Sequence, residues 1–204
     1  MNKNYTKKEQ LFIKWIKSQC RKYGVKCRLK NVSYLRLSGS IKCSGYFDDG
    51  QIDNPALVVA MNRPDWIEIL AHEYCHLTQW LEKQSIWYQA GDSLPYIDEW
   101  LTGTEVPDIE HHLGVARDLE LDNEKRTVEL IKDWGLNVDI DNYIKKANAY
   151  IHFYNYVATT RRWSKPENAP YINEVVLGAM PPHFNMEYKE LDKSLHKLYV
   201  EENI

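Results

Sequence analysis

The pattern of apolar residues predicts an α+β fold with a small sheet near the start and a helical second half. Residues 6–23, 64–89 and 109–134 place apolar side chains at helical spacing. Residues 25–61 instead contain short strand-like segments separated by turn residues. The connections between these segments are too short for crossover helices, which favours a small, mostly antiparallel sheet.

The first predicted helix covers residues 6–23 and stops at Gly24. Its lysines fill the face opposite an apolar stripe of Leu11, Phe12, Trp15 and Ile16. Three segments then read as strands: residues 32–37, residues 41–47 after a Ser38-Gly39-Ser40 break, and residues 57–60. Residues 57–61 are either a buried strand or a sheet edge to which an extended peptide could add as a further strand.

The remaining segments predict a series of helices. A long helix opens at Pro64 and runs to about Gln89, and residues 91–109 form an irregular insert with one helical turn at 97–101. Further helices are predicted at 109–134, from about 139 to 163, at 171–179 and at 186–201. The chain reads as one domain over residues 1–204: helix plus sheet in 1–62, metal-site helices in 63–134, and a helical C-terminal part in 135–204.

Composition is that of an ordinary globular protein, because 44% of the 204 residues are apolar and 27% are charged. No apolar run approaches the roughly 18 residues that a membrane span needs. Residues 1–4 lack the apolar stretch of a signal peptide. The four cysteines form no C-x-x-C pair, which indicates free thiols. Together these features predict a cytoplasmic protein with no membrane partner.

Charge is distributed unevenly along the chain. Residues 1–30 carry ten Lys or Arg and one acid, Glu9, whereas residues 92–141 carry fourteen acids and four basic residues. A basic segment of this kind could contact nucleic acid or an acidic partner. The pattern favours a simpler interpretation, in which the lysines form the solvated face of a helix over an acidic body.

The segment Ala71-His72-Glu73-Tyr74-Cys75-His76-Leu77 carries the strongest chemical signal. Two histidines four residues apart on a helix project from the same face, so both imidazoles can reach one metal ion. Glu73 lies beside them, where a carboxylate can act as general base towards a metal-activated water. A zinc site that keeps one position open needs a third protein ligand. The segment 120–127 is the better candidate, and Asp108 is the weaker one.

HEYCH followed by a separate helix with an E-x-x-x-E pattern resembles the gluzincin group of zinc metallopeptidases. The resemblance implies that Glu120 is the third Zn²⁺ ligand, with His72 and His76, and that Glu124 hydrogen-bonds an imidazole, that of His72. Glu124 stands where an aspartate is more usual, and the reverse arrangement, with Glu124 as ligand and Glu120 in support, is the alternative. The closest description is a compact, cytosolic member of bacterial or phage origin.

The implied function is zinc-dependent hydrolysis of a peptide bond in a peptide or protein substrate, with Glu73 as general base. A further donor is needed to stabilise the oxyanion. Tyr150 and Tyr154, four apart on one helical face, are candidates, as are His111, His112 and His152, although the sequence favours a packing or surface role for each of these residues. The alternative function is a catalytically silent zincin scaffold that binds a protein or a nucleic acid.

Overall fold

The computed structural model describes residues 5–36, 42–50 and 54–204. Predictions that concern residues 1–4, Leu37, Ile41 and the Ser38-Gly39-Ser40 break lie outside these ranges. The described residues form seven α-helices and five short strands, which confirms the α+β prediction. The helices are α1 Lys7–Lys22, α2 Trp66–Leu81, α3 Ser85–Leu101, α4 Ile109–Trp134, α5 Ile140–Thr160, α6 Glu174–Ala179 and α7 Lys193–Glu201. The strands are β1 Lys26–Lys30, β2 Leu35–Arg36, β3 Lys42–Cys43, β4 Gly45–Asp48 and β5 Ala56–Ala60.

The chain divides into two compact units. The first comprises Met1–Lys83 and Arg126–Val138, and therefore contains α1, the strands, α2 and the end of α4. The second comprises Gln84–Lys125 and Asp139–Ile204, with α3, the start of α4 and α5–α7. The interpretation of residues 1–204 as a single domain stays a prediction.

Helix α1 matches its prediction at both ends. A capping box starts the helix: the Thr6 hydroxyl accepts from the Glu9 amide at 3.2 Å, and the Glu9 carboxylate accepts from the Thr6 amide at 2.6 Å. Gly24, at φ 72°, follows the end of the helix in the left-handed conformation that glycine adopts easily. The apolar stripe packs against α2 and the end of α4, with ring centroids 4.8 Å apart for Trp15–Tyr74 and 5.3 Å for Phe12–Trp134.

The main sheet is mixed, with strand order β1-β5-β4. Strand β4 pairs antiparallel with β5, and β2 pairs antiparallel with β3 in a separate ribbon, but β1 pairs parallel with β5. The prediction of a mostly antiparallel sheet holds for two of the three pairings among the described strands, and the parallel pairing of β1 with β5 is the exception. Residues 31–55 connect β1 to β5, and this length is sufficient for a crossover that consists of β2, β3 and β4.

Strand β5 is the central strand, and each of its five residues is buried. Its backbone is paired on one side with β1 and on the other with β4. The suggestion that residues 57–61 form an edge for strand addition is therefore wrong, and the buried-strand alternative is correct. Helix α2 follows directly and packs on β4 and β5.

The predicted helix over 64–89 is interrupted, and the insert predicted over 91–109 is mostly helical. Helix α2 ends at Leu81, Lys83 adopts φ 52°, and α3 then runs from Ser85 to Leu101 with Pro95 inside it. Burial explains the difference, because four residues at intervals of three and four along one face of α3 are buried, and three of these four are apolar. The buried side chains are Ala90, Ser93, Ile97 and Trp100. Packing of this face outweighs the loss of the one hydrogen bond that Pro95 cannot make.

Helices α4 to α7 follow the predicted order. Helix α4 covers the predicted residues, whereas α5 ends at Thr160 rather than near 163, and α7 begins at Lys193 rather than 186. Asp192 caps α7 by accepting a 2.8 Å hydrogen bond from the Ser194 amide. The core of the second unit contains Trp100, Leu113, Phe153, Val176 and Tyr199, among others. No helix in the described ranges is both long and apolar enough to span a bilayer.

Candidate metal centre

Helix α2 presents the two motif histidines one helical turn apart. The ring centroids of His72 and His76 are 4.8 Å apart, and the ring planes are nearly perpendicular, at 87°. His76 is buried and His72 is half-buried. Strand β5 and the five residues after it fix where α2 begins, and Ile67, Leu70 and Leu77 are buried on its opposite flank. The helix therefore holds both imidazoles on one face without backbone distortion.

Glu120 on α4 supplies a third ligand atom. One atom from each of His72, His76 and Glu120 lies within 4.8 Å of the other two. A tetrahedral ion with bonds of about 2.0–2.1 Å holds its ligands roughly 3.4 Å apart, a spacing below the 4.8 Å within which these three atoms lie. Among residues 5–36, 42–50 and 54–204, neither Asp108 nor Glu124 belongs to this group. The three residues that the sequence resemblance implied as ligands thus form one group of candidate ligand atoms, and their role in binding zinc stays a prediction.

Gln79 fixes the orientation of the His76 ring. The Nδ1 atom of His76 lies 2.9 Å from Oε1 of Gln79, whose side chain is fully buried. Because an amide oxygen only accepts, this contact favours the tautomer with the proton on Nδ1, in which Nε2 is the nitrogen that can bind a metal. The donor set of two imidazoles and a carboxylate therefore suits zinc. Sequence reasoning missed Gln79, although its i+3 spacing from His76 on one helix was a usable signal.

Substituting leucine for Gln79 is expected to weaken zinc binding by about 10- to 100-fold, because the ring loses the acceptor that selects its tautomer. Gln79→Glu keeps an acceptor at the same position and should bind zinc more tightly than Gln79→Leu. Competition with a chromophoric chelator measures all three affinities. Equal affinity in wild type and Gln79→Leu would contradict this role for Gln79.

Glu73, the predicted general base, is buried beneath strand β4. Only 7% of the residue is exposed, and its side chain lies against Gly45. A Cβ atom at position 45 would approach Cγ and Oε1 of Glu73 to 2.9 Å, and Cγ2 of Ile69 to 2.7 Å. Glycine at this position is thus the residue that lets β4 lie directly over Glu73, and the strand limits where the carboxylate can point.

Gly45→Ala is expected to destabilise the fold by about 1–3 kcal/mol, because the added methyl group overpacks the contact between β4 and α2. Gly178→Ala is the matched control, since a Cβ there would meet nothing within 4 Å. Its expected effect is neutral or slightly stabilising, because Gly178 lies in helix α6. Urea unfolding of both variants measures the difference, and equal midpoints would show that the contact at Gly45 is not tight.

Glu124 is also buried, and its Oε2 accepts a short hydrogen bond from the hydroxyl of Tyr143 on α5. This contact gives the carboxylate a fixed place on α4, one turn after Glu120. A hydrogen bond from Glu124 to His72, as the resemblance implied, stays a prediction. Tyr143 was not among the residues singled out from the sequence.

Tyr150 and Tyr154 form a hydrogen-bonded pair beside Glu120, with hydroxyl oxygens 3.0 Å apart. Burial is the main cause that raises the pKa of both phenols. The charge of the Glu120 carboxylate raises both values further. Both hydroxyls are consequently protonated near neutral pH and can donate hydrogen bonds. Their proximity to Glu120 keeps them as candidates for stabilising an oxyanion.

The three other candidate donors have different surroundings. His112 Nδ1 lies 3.1 Å from the Ser93 hydroxyl, and His111 is exposed. His152 Nε2 lies 2.8 Å from the Asn185 amide. Burial, and then the charge of Arg117, lowers the pKa of His152, so the ring is neutral at pH 7. In the described part of the chain, none of the three histidines belongs to the group formed by His72, His76 and Glu120.

Comparisons with known proteins assign no chemistry to this site. No family model, curated protein or solved structure matches the chain. Any function for the site therefore rests on the chemistry of its own side chains.

Proposed function

We propose that the protein is a zinc-dependent peptidase of the gluzincin type, in which His72, His76 and Glu120 hold the zinc ion. The observation that carries the proposal is the approach of their ligand atoms to within 4.8 Å, with buried Glu73 next to His72 on the same helix. Two imidazoles and one carboxylate leave a fourth tetrahedral position open, as catalytic zinc sites require. A purely structural site would more commonly be closed by a fourth ligand.

Zinc, when bound, lowers the pKa of a coordinated water and polarises the carbonyl group of a substrate. Glu73 acts as the base: its carboxylate takes a proton from the attacking water and delivers it to the departing amine. The packing of β4 over this side chain limits the orientations of the carboxylate. A carboxylate held in position takes the proton of the attacking water more readily than one that must first be oriented. Gln79 keeps His76 in the tautomer that binds a metal.

Tyr150 and Tyr154 are proposed to donate to the substrate oxygen as negative charge develops on it. Each phenol retains its proton at neutral pH, because burial and the nearby Glu120 carboxylate raise the pKa of both tyrosines. Because their hydroxyls bond each other at 3.0 Å, one can donate to the substrate while the other supports it. The substrate is a peptide or a protein, and the proposed location is the cytoplasm.

The direct test is hydrolysis of an unfolded protein by the purified full-length chain, followed by mass spectrometry of the fragments. The expected result is a set of new termini that disappears after chelation and returns with one equivalent of zinc. Zinc binding without any cleavage across a broad peptide library would reject the peptidase and favour the catalytically silent binding scaffold. Cleavage that persists in the metal-free protein would reject the metal centre as its source.

A further inference from the structure

The three-stranded sheet has one face turned away from α2, and along its edge strand β1 this face carries exposed basic residues. Gly45 and Phe47 of β4 point to α2, where Gly45 meets Glu73 and the Phe47 ring lies 5.6 Å from that of Trp80. Side chains alternate along a strand, so Tyr46 and its partner Val58 point the other way. Arg28 pairs with Val58 in the parallel register, which places Lys26, Arg28 and Lys30 on this outer face. All three are exposed.

The β2–β3 ribbon adds two more cations on the same side. Leu35 packs with Ala56, Val58 and Ala60, so the ribbon covers part of the outer face. Arg36 and Lys42 pair with each other in the ribbon and are exposed. Both lie over the Tyr34 ring, at 5.9 Å for the Arg36 guanidinium and 4.7 Å for the Lys42 ammonium. The sequence from Lys26 to Phe47 contains these five cations and no acid. Asp48, at the end of β4, is exposed and lies on the same face, across Ala56 from Lys26.

We infer that this basic sheet face, defined as Lys26, Arg28, Lys30, Arg36 and Lys42 with Tyr34, binds the backbone of single-stranded nucleic acid. Alternate residues of a strand are about 6.6 Å apart, so the three cations of β1 form a regular row. Such spacing is of the same order as that of successive phosphates along an extended strand. The Tyr34 ring, 40% exposed, offers a surface for base stacking.

The arrangement favours a nucleic acid over an anionic membrane surface. A membrane surface would be bound by a basic face that also carries apolar side chains for insertion, usually on an amphipathic helix. Here the cations lie on the edge strand β1 of the main sheet and on the β2–β3 ribbon, in which each strand has two residues. A row of exposed cationic side chains can follow the phosphates of a flexible single strand, as the basic grooves of single-strand-binding proteins do. The inference does not depend on the metal centre, because none of its residues is a proposed ligand.

The test is fluorescence anisotropy with a labelled 20-nucleotide oligothymidylate and the full-length protein over a range of salt concentrations. In Lys26→Gln/Arg28→Gln/Lys30→Gln, the loss of three phosphate contacts should lower affinity at least tenfold. It should also reduce the slope of log K against log salt by about 2. The control removes three exposed lysines elsewhere, as Lys189→Gln/Lys193→Gln/Lys197→Gln, and should bind like wild type.

Two further variants keep the inference testable if the triple variant does not fold. Arg36→Gln/Lys42→Gln should reduce the salt slope by about 1.4, and Tyr34→Ala should weaken binding about tenfold while leaving the slope unchanged. Equal losses in the β1 variant and its lysine control would overturn the inference. So would undetectable binding by wild type at low salt, or equally tight binding to polyglutamate or to phosphatidylserine vesicles.

Discussion

Glutamine in place of Glu73 is expected to leave zinc binding intact while lowering peptide hydrolysis by a factor of about 10²–10⁴. Glutamine has nearly the same shape as glutamate, so the contact with Gly45 beneath β4 is retained. The amide cannot accept the proton of the attacking water at neutral pH, so the base is lost without loss of the ligands. Steady-state hydrolysis of a cleaved peptide and zinc analysis of the same sample measure both quantities.

Glu82→Gln is the matched control for this substitution. Glu82 lies just after α2 and is half-exposed, where it pairs with Arg126 at 2.9 Å. Exposed pairs of this kind contribute about 0–1 kcal/mol, so the variant should hydrolyse peptide at the wild-type rate. Unchanged hydrolysis by Glu73→Gln would refute the assigned role of Glu73. Loss of zinc from that variant would instead show that the carboxylate supports the metal.

Alanine in place of Glu120 is expected to weaken zinc binding by about two to three orders of magnitude. Structural zinc sites with four ligands bind with an apparent free energy of about 10–16 kcal/mol, or roughly 2.5–4 kcal/mol for each ligand. Removing one of three ligands should therefore cost a comparable amount. Wild type should also gain thermal stability from added zinc, whereas Glu120→Ala should gain little, because ligand stabilisation depends on the ratio of concentration to Kd.

Two variants on the same helix show whether the effect belongs to Glu120. Glu129→Ala removes a carboxylate whose side chain is 69% exposed, and should bind zinc normally. Glu124→Gln removes the acceptor of the Tyr143 hydrogen bond and should weaken zinc binding much less than Glu120→Ala. The reverse order, with Glu124→Gln the more damaging, would make Glu124 the ligand and Glu120 its support.

Elements with both a periodic apolar face and clear end signals could be predicted from the sequence. Helix α1 has Thr6 and Glu9 as a capping box and Gly24 as a stop, and α4 combines 26 residues of helical period with Gly135 after its end. Strand β1 was missed because Lys26, Arg28 and Lys30 dominate its composition. Its alternation of exposed and half-buried residues becomes visible only once Cys27 and Leu29 are known to face inwards.

Helix α3 shows the opposite error, since its glycine, proline and acids suggested an irregular segment. Its buried residues recur at helical intervals, and their packing decides the conformation. Parallel pairing of β1 with β5 was missed for a related reason. Connection length was judged between neighbouring segments rather than across the 25 residues from 31 to 55 that separate the two strands.

The candidate ligands could be named in advance because their spacing within each helix is short. The i, i+4 pair of histidines and the E-x-x-x-E pattern are local features. Contacts between different helices and strands could not be predicted from the sequence. The contact of Gly45 with Glu73 joins residues 28 positions apart, and that of Tyr143 with Glu124 joins residues 19 positions apart. Such pairs depend on strand register and helix packing, which the composition of either segment does not contain.

Elemental analysis of the purified wild-type chain tests the central claim most directly. The protein should be expressed without added metal, passed through a desalting column, and measured for zinc, cobalt, manganese, iron and nickel against protein concentration. The account predicts about one zinc ion per chain and little of the other metals. A chain that contains no stoichiometric metal and takes up none from zinc-buffered solution would contradict the metal centre at His72, His76 and Glu120.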